Sequence, residues 1–324
     1  MPAITLAEAV TQALAYELEH DPSVIIFGED VGANGGVFRT TVGLQEKFGA
    51  DRVRDTPLAE NMIAGLAVGM SAHGMKPVAE IQFMGFIYST FDQIVSHATR
   101  LRNRTCGRLS CPMVIRAPFG GGIHAPEHHS ESTEALFAHI PGLRVVIPSS
   151  PARAYGLLLA SIRDPDPVIF LEPKRIYRKV KEEVPDDGEA YPLDVCYTLR
   201  EGSDITFVTW GAMVHETMEA ADKLEQQGVL AEVIDVATIK PLDIDTILES
   251  VEKTGRLVIV HEAAKTCGVG AEIAALVAEK GLTFLLAPIK RVTGYDTIMP
   301  LFRLENEYMP SVERILKAAH EVLE

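Results

Sequence analysis

Apolar residues recur at helical spacing from Ile4 to Leu18, and the unbroken apolar run VIIFG, Val24 to Gly28, follows as a strand. The alternation continues down the chain. KPVAEIQF predicts a strand and IYSTFDQIVSHATRLR a helix. MVIRAP, RVVIP and PVIFLEP predict three further strands, with PARAYGLLLASIR as a helix between the last two. Short apolar strands alternating with helices predict a parallel sheet covered on both faces. The texture then becomes charged and proline-bearing, and residues 181–203 read as a connection between domains. Alternation resumes with DITFVTWG, a helix from Met213 to Gln226, AEVIDVATI, a helix around Ile244 to Glu252, and RLVIVHEA. A helix from Val269 to Glu279, TFLLAP as a final strand and a closing helix from Val312 to Val322 complete the pattern. The expectation is an α/β chain of two successive domains with mainly parallel sheets, residues 1–180 and 204–324.

Composition narrows the class. The 324 residues are 47% hydrophobic and 23% charged, the balance of a folded globular chain. A net charge of −15 argues against a nucleic-acid partner, which requires basic patches. The opening MPAITLAEAVTQALAYELEHD lacks the basic start and apolar centre of a signal peptide, and no apolar run approaches the roughly 20 residues of a membrane span. Cys106, Cys111, Cys196 and Cys267 are scattered without CxxC spacing, so a disulfide framework or structural zinc is not expected. The setting implied is reducing and cytoplasmic.

Common catalytic motifs are absent: there is no GxxxxGK[ST], GxSxG or HExxH. Gly268-Val-Gly270 resembles the start of a dinucleotide fingerprint but lacks its third glycine, and a structural turn is the favoured reading. FGGGIHAPEHHSES, Phe119 to Ser132, sets three glycines before His124, His128 and His129. A metal site, a surface loop with incidental histidines and an active-site loop all remain open there; histidine suits proton transfer near neutrality. DTPLAENMIAGLAVGM, Asp55 to Met70, places Glu60 at the head of a nearly uncharged helix that reads as a buried packing element. Either Glu60 reaches water at a helix start, where the dipole favours negative charge, or it points into a site and shares a proton with a basic nitrogen on a ligand.

VIIFGEDVGANGGVFRTT, RVRDTPLAEN, EIQFMGFIYSTFDQI, FGGGIHAPEHHS, PGLRVVIPSSPARAYGLL, DPDPVIFLEPK and VEKTGRLVIVHEA occur in this order. Together they resemble the beta subunit of the thiamine-diphosphate-dependent 2-oxo acid dehydrogenases, over nearly the whole chain. The resemblance implies a transketolase-like pyrimidine-binding domain followed by a transketolase C-terminal-like domain. It implies that Glu60 hydrogen-bonds the aminopyrimidine ring of thiamine diphosphate, favouring the imino tautomer. Glu29, Leu58, Ala59, Gln82 and Phe86 would line the same cofactor site. Phe83, Met84, Gly85 and Phe86 would border the substrate, together with His129, a family histidine linked to substrate binding and acylation of the lipoyl group. Some relatives carry tyrosine at Phe86, and many read His-Ser-Gln where this chain reads His129-Ser130-Glu131. The family's diphosphate and magnesium motif, GDG followed by NN, is absent here. The resemblance places that motif, and the magnesium, on a separate alpha subunit. It further implies an α2β2 heterotetramer, docking on a lipoyl acyltransferase core, and a potassium site near Ser161, Asp164 and Asp166. FGGGIHAPEHHS is similar to pyruvate-type subunits, whereas VTGYDTIMP, Val292 to Pro300, is similar to the branched-chain type. The apolar Phe83, Met84 and Phe86 lean the expectation toward branched-chain 2-oxo acids and branched-chain amino acid degradation.

Overall fold

The computed structural model describes residues 3–324, which divide into two compact units. The first comprises residues up to Phe119 together with Leu136–Leu193; the second comprises Gly120–Ala135 and Asp194–Glu324.

In the first unit, six parallel strands lie side by side in the order Val53–Asp55, Val24–Gly28, Lys76–Glu80, Val114–Phe119, Val168–Pro173 and Arg144–Val146. Val24 to Gly28 and Val114 to Phe119 are buried throughout, as expected of a sheet covered on both faces. The helix Leu6–His20 starts at a capping box, Thr5 with Glu8, and buries Leu6, Val10, Ala13 and Leu14. The helix Pro151–Arg163 begins with Ser150 as its cap and proline in its first turn. The adjacent strands put a charge where their apolar runs hide it. Arg116 Nε and Nη2 donate to Glu172 at 2.6 and 3.0 Å, and Nη1 donates to Glu80 Oε2 at 2.9 Å. All three side chains are buried, with Tyr177 Oη donating to Glu172 at 2.7 Å.

In the second unit, five strands lie side by side in the order Lys290–Gly294, Leu257–Ala264, Ile205–Thr209, Ala231–Asp235 and Tyr197–Arg200, parallel except for the last. Helices Met213–Glu225 and Val312–Leu323 bury Met213, Leu224, Ile315 and Ala319 in its core.

Several expectations are corrected. Residues 120–135 belong to the second unit, because their amides and Glu134 bond to groups there. The connection 181–203 is not free-standing: Lys181–Glu183 pairs with Ala3–Thr5, Tyr197–Arg200 joins the second sheet, and the units divide between Leu193 and Asp194. TFLLAP is not a strand. A single turn, Leu282–Phe284, occupies its start and Leu286 is exposed, while Lys290–Gly294 fills the place beside Leu257–Ala264. The helix expected over Ile87 to Arg102 is broken into short turns and the helices Phe91–Ser96 and Leu101–Arg104. The helix Glu60–Ala72 is one-sided. Ile63, Ala64, Ala67 and Ser71 are buried, whereas Met62 and Leu66 stand exposed, as does Leu58 just before it.

Candidate active site

Three segments emerge from the carboxyl ends of adjacent parallel strands, the usual place for a ligand in an open α/β sheet. Glu29 follows Val24–Gly28, Leu58 to Glu60 follow Val53–Asp55, and Gln82 to Phe86 follow Lys76–Glu80. Gly28 permits the approach: a Cβ there would meet the Glu80 carbonyl oxygen at 2.5 Å. Glu29 is buried and its Oε1 has no hydrogen-bond partner. Burial pushes its carboxyl above the usual range, the nearby Glu60 and Asp30 charges push it further, and the Ala59 amide pulls it back. Asp30 holds a left-handed backbone at φ 58°, which a side chain adopts at a cost, and Gln82 Nε2 donates to its Oδ2 at 3.2 Å. Glu29, Ala59, Glu60 and Gln82 are therefore brought to one edge of the sheet. Glu60 is half-buried at the first turn of its helix.

Phe83 and Phe86 belong to an aromatic cluster. Phe83 meets Phe38 edge-on at 5.3 Å and Phe86 at 5.8 Å, and Phe38 leans on Tyr177 at 5.3 Å. Lys174 Nζ lies 5.8 Å from the centre of the Phe83 ring. Met84 and Gly85 are buried, so Phe83 and Phe86 supply the surface of this segment.

His129 lies in the second unit, half-buried at the end of the turn Glu127–His129, its amide donating to the Pro126 carbonyl at 2.9 Å. Gly120 N–H donates to Glu131 O at 2.9 Å and closes the base of the loop. Ser130, Glu131 and Thr133 of the loop line a cleft of about 400 Å³ with Asp296, Met299 and Tyr308. The residues beneath the loop carried little signal in the sequence. Glu134 is fully buried and accepts from Trp210 Nε1 at 3.3 Å, with Glu262 close enough to raise its carboxyl. Trp210 stacks on His261, ring centres 5.0 Å apart. Gly268 and Gly270 make room for that imidazole: Cβ atoms there would come within 2.9 and 2.7 Å of it. The glycine pair is thus a structural accommodation. A stronger hint was the charge inside apolar runs, Glu262 in RLVIVHEA and Arg116 in MVIRAP.

The side chains of the residues named for potassium make hydrogen bonds within the chain. Ser161 Oγ donates to Leu157 O at 2.7 Å, Arg144 Nη1 donates to Asp164 at 3.1 Å, and Arg102 Nε donates to Asp166 at 2.7 Å. Among the described residues, no group of three His, Cys, Asp or Glu side chains is poised for a metal, and no helix is long and apolar enough to cross a membrane.

Residues 2–180 match the transketolase pyrimidine-binding domain family, and residues 195–315 match the transketolase C-terminal domain family. The pyruvate dehydrogenase E1 component subunit beta of Bacillus subtilis (strain 168) is 49% identical over 324 residues, covering all of both chains. The protein of the same description from Staphylococcus aureus (strain MW2) is 50% identical with the same coverage. A solved split-gene transketolase, described as an inactive beta4 tetramer, superposes with a TM-score of 0.82 over 99% of both chains; at 24% identity it speaks to the fold alone. With both domain families matched in order and half the residues shared end to end, the chain belongs to the E1 beta subunits of the thiamine-diphosphate-dependent 2-oxo acid dehydrogenases.

Proposed function

We propose that this chain is the beta half of a cytoplasmic enzyme that decarboxylates pyruvate and passes the acyl group to a lipoyl carrier. The observation that carries the reading is the buried Glu29 carboxylate with an open oxygen, beside Glu60 at the carboxyl edge of the sheet. Two acids so placed repel one another, and a ligand bringing a basic nitrogen and amino hydrogens relieves that cost. An aminopyrimidine is such a ligand. Glu60 would accept from the pyrimidine ring nitrogen and hold a proton there, with Glu29, Leu58, Ala59, Gln82 and Phe86 around it. Thiamine diphosphate, when bound, supplies a thiazolium carbon that adds to the 2-oxo carbon and takes up the electrons left as carbon dioxide departs. Phe83 and Phe86 would keep water from the reacting carbon, and His129 would orient the substrate and serve proton transfer during acylation.

The diphosphate and its magnesium fall to an alpha subunit, since the motif for them is missing from this sequence. Leu58, just before the helix that Glu60 opens, and Met62 and Leu66, on the exposed side of that helix, are apolar and suit burial by such a partner in an α2β2 assembly. Docking on a lipoyl acyltransferase core follows from the same reading.

Pyruvate displaces the branched-chain expectation. Relatives at 49% and 50% identity bear the pyruvate dehydrogenase description. Val292 and Met299 of the branched-chain-like stretch are core residues of the second unit. Pocket differences of a methylene or two shift such preferences by only about 1–3 kcal/mol, so the substrate has to be measured. Carbon dioxide release from pyruvate and from 3-methyl-2-oxobutanoate should be followed with the chain alone and with its co-expressed alpha partner. Thiamine diphosphate and magnesium are supplied throughout. Activity is expected only in the mixture and faster on pyruvate, with Glu60→Gln slowed at least about 100-fold. Turnover by the chain alone would sink the half-enzyme reading, and a faster branched-chain acid would sink the choice of pyruvate.

A further inference from the structure

The loop that carries His129 has an irregular backbone. Gly120, Gly122 and His124 all take left-handed conformations, at φ 87°, 81° and 56°, and only His124 does so with a side chain. Such a conformation persists where its surroundings over-determine it. Here one carboxylate does so. Gly122 N–H donates to Glu305 Oε1 at 2.9 Å, and His124 N–H donates to Glu305 Oε2 at 3.0 Å. The His124 imidazole Nε2 also lies 3.4 Å from Oε2. Glu305 is 1% exposed and opens the short helix Glu305–Tyr308, so its side chain is anchored from the core side. Amide bonds to an ionised carboxylate are the stronger class of hydrogen bond, and losing one at a buried position leaves a donor unmet.

We propose that Glu305 is a positioning residue for the His129 loop: its two oxygens clamp the Gly122 and His124 amides and fix the backbone from which His129 acts. This rests on the role assigned to His129 above. Glu305 touches no reacting atom in this scheme and works only through the loop.

The test uses the enzyme assembled with its co-expressed alpha partner. Glu305→Gln keeps one accepting oxygen and turns an NH2 group toward the second amide. Deuterium uptake over residues 120–131 is expected to quicken at least tenfold, with the strands of the second sheet unchanged. Lipoyl acylation is expected to slow by about 10- to 100-fold. The double variant Glu305→Gln with His129→Ala should be no slower than His129→Ala alone, because both act through one group. His124→Gly keeps the clamped amide and removes the imidazole, so it should retain slow exchange and full rate. Should Glu305→Gln fail to assemble, Glu305→Asp, one methylene short, serves in the same comparisons. A loop that exchanges no faster, or one that loosens without loss of rate while His129→Ala is costly, would overturn the clamp. Multiplicative losses in the double variant would overturn it as well. A silent His129→Ala beside a slow Glu305→Gln would instead remove the role given to His129, and the proposal with it.

Discussion

Trp210 donates its indole N–H to Glu134 Oε1 at 3.3 Å while its ring stacks on His261, so one aromatic side chain bridges two buried titratable groups. The Glu134 carboxyl is pushed up to about 8, chiefly by burial and further by Glu262, against lowering bonds from its own backbone and from Trp210. The group therefore keeps its proton in the folded chain where the unfolded chain, near 4.5, has lost it. Its contribution to stability is complete below about 4.5 and is lost as pH rises toward 8. His261 acts in the opposite sense. Burial, with the Arg291 charge, lowers it to about 3, so its contribution is present above 6.5 and is lost as pH falls through that window. Between pH 6.5 and 8 only the Glu134 effect operates of the two. Over that range the melting temperature of the natural chain should fall more steeply than that of Glu134→Gln; parallel slopes would refute the assignment.

Gly270→Ala should destabilise the chain, against the usual helix rule. In an open helical position the change gains about 1 kcal/mol. Here the new methyl would meet His261 Nε2 at 2.7 Å and Ile259 Cγ2 at 3.2 Å. The imidazole is buried and held by Trp210, so overpacking of roughly 1–3 kcal/mol outweighs the helical gain. Gly69→Ala, in the helix Glu60–Ala72 with nothing within 4 Å of the added atom, is the control and should raise the melting temperature of the isolated chain. Urea midpoints of both variants decide the matter.

Arg116→Met should cost about 3–5 kcal/mol, because it leaves Glu80 and Glu172 buried without their cation. Replacing both acids by glutamine in the same variant should recover much of that loss. Denaturant unfolding of the single and triple variants gives the comparison, and equal losses would show that the arginine matters by volume alone.

Glu29→Gln trades stability against binding. Removing an acid that burial and Glu60 both disfavour as an anion should raise the melting temperature, more at pH 8 than at pH 5. Thiamine diphosphate binding to the assembled enzyme should weaken by at least about tenfold, read by calorimetric titration. A gain in both would remove Glu29 from the cofactor site.

The strands were legible because apolar runs mark them, whereas Glu29, Gln82, Phe86 and His129 were legible only through the family resemblance. VIIFG is the strand Val24–Gly28 residue for residue, and Glu29 follows it. What escaped had physical causes. TFLLAP and Lys290–Gly294 both offer short apolar or β-branched runs, and run length does not say which one gains a neighbour in the sheet. The exposed side of the helix Glu60–Ala72 was hidden because alanine, glycine, methionine and leucine fill both faces. Glu305 sits among exposed Leu301, Phe302 and Leu304, and nothing local distinguishes it from a surface acid. Its partners are 181 and 183 residues away, beyond the reach of any periodicity.

That separation has a consequence for how the protein is made. At roughly 5–20 residues per second, the ribosome delivers the glycine-rich loop about 10–40 seconds before the carboxylate that will hold it. In the meantime the first sheet can close from strands already synthesised, while the loop waits, tethered at Phe119 and Leu136 to a body it does not join. A nascent chain stalled before residue 305 would carry Glu29 and Glu60 in place at the end of its first sheet and the loop 120–131 without the carboxylate that holds it.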